Sequence, residues 1–135
     1  MFSISDNDNR HIDMTFQCQI IIVCWCLMLG IPGCAVMNPV EDAQAAFNRQ
    51  EYTRAIEILS PLAEKGNVLA QSSLGVVYQY GTGNFPEALK WYRLAVIQGN
   101  ASAQYNLGVM YARGEGVIRN YQEALKWWGL ASKRW

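Results

Sequence analysis

Few residues in this chain have the chemistry to cut, transfer or ligate. The four cysteines, Cys18, Cys24, Cys26 and Cys34, all precede Ala35, and the single histidine is His11. Everything after Cys34 therefore lacks thiol and imidazole. Structural zinc draws on those ligands, so no metal site is expected there. A Cys–His or Ser–His nucleophilic pair is impossible in the same stretch. Cys24-Trp25-Cys26 is C-x-C inside an apolar run, not the C-x-x-C redox spacing. These thiols read as small hydrophobes. Glu87 and Glu123 recur at equivalent places, at the starts of predicted helices, where a carboxylate favours the helix dipole. Hydrolysis would instead need two acids facing across one cleft. Gly81/Gly83 and Gly114/Gly116 are G-x-G pairs flanked by helical sequence. A dinucleotide cradle needs G-x-G-x-x-G between a strand and a helix, so these are read as turn glycines. Trp91, Trp127 and Trp128 would make a sugar-stacking platform, but at helical spacing they read as core and inter-repeat packing. With no nucleophile or acid–base constellation, neither an enzyme nor a cofactor is expected.

The bulk numbers narrow the classes further. At 135 residues the chain holds at most one domain, and its formal net charge is zero. From Ala35 onward it carries ten Lys or Arg against eight Asp or Glu. No basic stripe alternates with aromatics, so nucleic acid is not an expected partner.

The elements that position these residues are repeated. Ala70-Gln71-Ser72-Ser73-Leu74-Gly75-Val76-Val77-Tyr78 returns as Ala103-Gln104-Tyr105-Asn106-Leu107-Gly108-Val109-Met110-Tyr111. A glycine pair follows each copy, then Glu-Ala-Leu-Lys-Trp at 87–91 and 123–127. The first halves are offset by 33 residues and the second halves by 36. Such periods mean stacked units that cannot bury their apolar faces alone. Helical periodicity predicts helices over 40–48, 52–64, 68–80, 87–98, 101–113 and 121–133. Their buried stripes are Ala43, Ala46 and Phe47; Ala55, Ile56, Leu59 and Ala63; Ala70, Leu74 and Tyr78; and Ala88, Trp91, Tyr92 and Ala95. Pro61 falls inside the second helix, where it favours a kink. Gly66-Asn67 and Gly99-Asn100 read as left-handed stops. Gly75 costs helix propensity. Its return at Gly108 suggests that a neighbouring helix approaches closely there. The inter-helix loop of the second copy is three residues longer than that of the first.

Ahead of the repeats, Ile20 to Leu29 is a continuous apolar run followed by Gly30-Ile31-Pro32-Gly33-Cys34-Ala35. Its length suits a signal-peptide core, whereas a spanning helix needs roughly twenty residues. Three processing routes stay open. Gly33 and Ala35 fit cleavage after Ala35; Ile31-Pro32-Gly33-Cys34 resembles a lipobox, which would lipidate Cys34; and the run could persist as an uncleaved anchor. Met14 is an alternative start to Met1. The leader predicts an exported protein, periplasmic or tethered to the membrane of a bacterial envelope.

The repeated residues resemble Sel1-like repeats, a class related to tetratricopeptide repeats. Ala70, Leu74, Gly75, Tyr78, Gly81 and Gly83 match the first half of that pattern, and Ala88, Trp91, Ala95 and Gly99 the second. Ala103, Leu107, Gly108, Tyr111, Gly114, Gly116 and Val117 match again, followed by Ala124, Trp127 and Ala131. The resemblance implies an all-α fold, a short right-handed α-solenoid whose inner helices line a groove. The organisation expected is a leader over 1–37, a divergent helix pair over 38–67, one repeat over 68–100 and a second over 101–135. The second stops where the family would continue into another unit or a cap. The cysteines that bridge repeats in one bacterial subgroup are missing, so that subgroup's properties do not transfer.

The function the resemblance implies is a non-enzymatic scaffold or adaptor for a protein or peptide. The alternatives are an accessory subunit of an envelope enzyme, or a truncated fragment with no independent function. On the inner helices, the residues off the core stripe are Ser72, Val76 and Gln79, then Tyr105, Val109, Ala112 and Arg113. They form the candidate partner-binding groove, with Tyr105 as an amphipathic anchor. Trp127, Trp128 and Trp135 near an uncapped end point to self-association through the last repeat or to a missing downstream unit.

Overall fold

The computed structural model describes residues 38–134. The leader, with Cys34 and its processing sites, lies outside them, as does Trp135. The described chain forms α1 (Pro39–Asn48), α2 (Tyr52–Glu64), α3 (Val68–Val76), α4 (Phe85–Ile97), α5 (Ala101–Arg113) and α6 (Tyr121–Ser132). Among the described residues there is no strand. Helices pack in antiparallel pairs, α1 with α2, α3 with α4 and α5 with α6. The first helices of successive pairs also touch, α1 to α3 and α3 to α5. This is the expected all-α stack.

Asparagine starts most of these helices. The side chain of Asn67 accepts from the Ala70 amide at 3.0 Å, and Asn100 from Ala103 at 2.8 Å. Asn84 caps α4, and Asn120 caps α6 by accepting from Gln122 and Glu123 at 3.0 and 3.2 Å. Each cap satisfies amides that the first turn leaves without a partner. Gly66 and Gly99 do adopt left-handed backbone, with φ of 90° and 80°. The asparagine after each belongs to the next helix, so one Gly-Asn pair ends a helix and begins another. Pro61 sits inside α2, which runs through to Glu64.

Alanine and leucine fill the interior as the periodicity requires. Ala55, Leu59, Ala70, Leu74, Ala88, Tyr92, Ala95, Ala103 and Leu107 are all buried. Gly75 has the reason its recurrence suggested. A Cβ there would lie 2.6 Å from Cδ1 of Tyr92, so the Tyr92 ring of α4 packs directly on the glycine backbone. At Gly108 the intruder is the Trp128 indole, whose Nε1 would be 2.5 Å from such a Cβ.

One expectation needs correcting. The third predicted helix does not run as α-helix to Tyr80. After Val76 it widens into a π-helical turn, Val77–Thr82, that ends at left-handed Gly83. The second copy stays α-helical to Arg113 and ends at left-handed Gly114. The reason lies in the connection. Only Gly83 and Asn84 separate the turn from α4, whereas Gly114 to Asn120 separate α5 from α6. The wider winding takes up residues that the second copy places in its longer loop. Gly81, helical here, packs its backbone on Tyr52, with a Cβ-to-Cδ1 separation of 2.6 Å.

Candidate functional site

The first helices of the three pairs, α1, α3 and α5, share one face, and that face holds a cavity of about 170 Å³. Ala43, Gln44 and Phe47 come from α1, Ser72, Ser73 and Val76 from α3, and Ser102 from α5. Leu59 and Val77 close its floor. The lining mixes apolar side chains with three hydroxyls and one amide in about equal measure, and none of its side chains is charged. The sparsity of charge extends along α3 and α5, whereas α1 carries Glu41 and Asp42 in its first turn. α3 contains no Lys, Arg, Asp or Glu, and α5 contains only Arg113 at its last position. The second helices, α2, α4 and α6, carry most of the charge, in pairs such as Lys90–Glu87 and Lys126–Glu123.

The groove residues expected from sequence are not all on this face. Ser72 and Val76 line the cavity. Ser72 is otherwise buried and donates to the Leu69 carbonyl at 3.1 Å. Tyr105 is 54% exposed, and its ring lies 6.4 Å from that of Trp128, whose indole donates to the Tyr105 carbonyl. Arg113 is exposed and pairs with Glu115 at 3.5 Å. Ala112 is half-buried and Val109 is buried.

Gln79 is a correction. It is not part of an open face but 4% exposed, between the two repeats. Its Nε2 donates to Glu115 Oε2 at 2.6 Å, and its Oε1 accepts from the Tyr92 hydroxyl at 2.8 Å. The π-helical winding turns it away from the direction an α-helix would give it, and the loop after α5 closes over it. Burial pushes the Tyr92 hydroxyl well above its ordinary pKa, with Tyr80 and Glu115 adding to the shift, so it stays a donor. Sequence reasoning also missed Gln71. Its Nε2 donates to the Ala63 carbonyl at 3.1 Å, and its Oε1 accepts from Gln98 at 2.8 Å, tying together the ends of α2, α3 and α4. The recurrence of Gln at 71 and 104 was the available signal.

The arrangement can hold another chain by apolar contact and hydrogen bonds. Among the described residues no group of three or more His, Cys, Asp or Glu is placed to hold a metal ion.

The Sel1 repeat model matches residues 68–100 and again 101–134. The chain is a Sel1 repeat protein. Among solved structures, it is similar to c5321, a protective antigen of uropathogenic Escherichia coli strains displaying an SLR fold. The TM-score is 0.63 at 32% identity, over 71% of this chain and 22% of that one. It is also similar to a Sel1 repeat protein from Oxalobacter formigenes, with a TM-score of 0.56 at 31% identity, over 61% of this chain and 65% of that one. This chain therefore spans about a fifth of the first neighbour and just under two thirds of the second. No curated protein sequence matches it. Both neighbours have SLR/Sel1 solenoid folds, and both are bacterial. Sel1 repeat proteins generally act as non-enzymatic scaffolds that bind other proteins.

Proposed function

We propose that this Sel1 repeat protein is an adaptor whose α1–α3–α5 face receives an uncharged segment of a partner protein. The observation that carries this reading is the uncharged cavity of about 170 Å³ shared by three successive first helices. It has room for one aliphatic side chain of leucine size, and Ser72, Ser73, Ser102 and Gln44 can bond the flanking main chain of a bound peptide. Exposed Tyr105 extends the contact toward Trp128. Binding of this kind depends little on ionic strength, since no buried ion pair is made.

The test is capture of partners from cell extract by the full chain and by Val76→Arg. Partners that survive high salt with the native chain and disappear with Val76→Arg support the reading. Capture unaffected by Val76→Arg, or lost on raising salt alone, overturns it.

We also propose that the protein works in a bacterial envelope. The support is the apolar run Ile20 to Leu29 and the small residues after it. Cleavage after Ala35, lipidation of Cys34 and retention as an anchor each predict a different N-terminal mass. Intact mass spectrometry of the mature protein separates them, and an unprocessed chain in the cytoplasmic fraction overturns the proposal.

A further inference from the structure

The outer sides of the second helices stand in one register, and their chemistry changes along the stack. Ala55, Ala88 and Ala124 hold equivalent, fully buried places on α2, α4 and α6. Two residues further on, helical spacing puts Glu57, Lys90 and Lys126 at one level of the side facing away from the core. Pro61, Leu94 and Leu130 follow at the next level, then Glu64, Ile97 and Lys133. All nine are exposed, Ile97 by 81%. This side is therefore acidic on α2, largely aliphatic on α4 and basic on α6. Among the described residues Glu57, Glu64 and Lys133 enter no ion pair, whereas Lys90 and Lys126 pair with Glu87 and Glu123 of their own helices. α4 stands mid-stack, with a helix pair on either side, and still leaves Leu94 and Ile97 open. Stacking of repeats does not cover this side.

We propose that it is an interface with a second copy of the chain, α4 on α4, with the two-fold axis running along α4. The surface is separate from the α1–α3–α5 face and does not depend on the function proposed for it. Charge selects both the partner and the axis. A partner of one sign, such as an anionic membrane surface, matches α6 and opposes Glu57 and Glu64 on α2. A second copy with the axis across the helices sets α2 on α2, acid against acid. With the axis along α4, α2 of each copy lies over α6 of the other and the levels are kept. Glu57 then meets Lys126 of the second copy, and Glu64 meets Lys133. Leu94 and Ile97 meet their own counterparts at the axis, where apolar contact excludes water. Lys90 also faces its counterpart, but Glu87 at 3.4 Å offsets its charge. The contact is isologous and closes at two chains.

Light scattering after size exclusion tests this on the full chain, over a concentration series and in mild detergent to screen the apolar leader. The expected result is a dimer that weakens as salt rises. Ile97→Asp abolishes it with helical circular dichroism unchanged, and Ile118→Asp, in the loop between α5 and α6, leaves it intact. Glu64→Lys or Lys133→Glu alone weakens it about 10- to 30-fold, because each reversal sets like charges together at two symmetric places. Combining both changes in one chain, or mixing the two single variants, restores it. A monomer at every concentration overturns the proposal, as does a dimer that survives Ile97→Asp. A double variant that fails to re-form dimers shows that α2 does not meet α6 across the axis, and overturns it too.

Discussion

Replacing Gly75 with alanine sets two effects of known sign against each other. A mid-helix Gly→Ala change ordinarily stabilises by about 1 kcal/mol, by restricting the unfolded chain. At Gly75 the new methyl carbon would stand 2.6 Å from Cδ1 and 2.9 Å from Cζ of Tyr92. Carbon atoms rest near 3.5–4 Å, so the ring must move by about 1 Å. It has little room to do so, being fully buried, with its hydroxyl held by Gln79. Overpacking of this kind costs about 1–3 kcal/mol, and disturbing the hydroxyl bond adds about 1 kcal/mol. The net expectation is a loss of about 1–3 kcal/mol, lowering Tm by about 5–20 °C for a folded unit of this size. Gly129 is the internal control. It lies within α6, and a Cβ there meets nothing within 4 Å. Gly129→Ala should therefore raise stability by about 0.5–1 kcal/mol. Thermal unfolding followed by far-ultraviolet circular dichroism reads both. A Gly75→Ala protein that melts at or above the native temperature would refute the close-packing argument.

Three other outcomes follow from the same contacts. Asn100→Ala removes the cap on α5 and should cost about 1 kcal/mol in chemical denaturation, most of it recovered by Asn100→Asp. Glu115→Ala leaves the buried Gln79 amide without its acceptor and should cost about 1–3 kcal/mol by the same measurement. Alkali should destabilise the fold. The folded pKa of Tyr92 lies above the unfolded value of 10.0, so this stability is fully present below pH 10 and is lost as pH rises further. The unfolded chain releases the proton first, at up to about 1.4 kcal/mol per pH unit. Tyr92→Phe should flatten that slope in denaturant titrations above pH 10.

Most helices were legible because local rules and tertiary packing agree over them. Ala70, Leu74 and Ala103, Leu107 show one stripe twice, and the structure buries all four. The recurrence of Gly75 at Gly108 pointed to a close approach, though not to Tyr92 and Trp128 as the rings that make it. The π-helical turn was not legible, because α- and π-winding differ in which carbonyl an amide reaches, and side-chain types barely record that. Gln79 was misplaced for the same reason: i, i+7 spacing from Ser72 puts it on the open face only if the helix keeps its pitch. Ser72 and Val109 show a second limit. The spacing within one repeat defines its own core, whereas both residues are buried off that stripe, Ser72 beside α1 of the preceding pair.

The asparagine caps bear on how this protein ages. Asparagine slowly hydrolyses to aspartate, which in a core would strand a charge. At Asn67, Asn84, Asn100 and Asn120 the side-chain oxygen only accepts from backbone amides. A carboxylate accepts the same bonds, and its charge suits the positive end of a helix. These four joints can lose their amide nitrogens and keep their function. Gln79 and Gln71 have no such latitude, since each must donate from its amide as well as accept. Loss of an amide would therefore break a buried hydrogen bond at either glutamine between units, whereas the same loss at a cap would not.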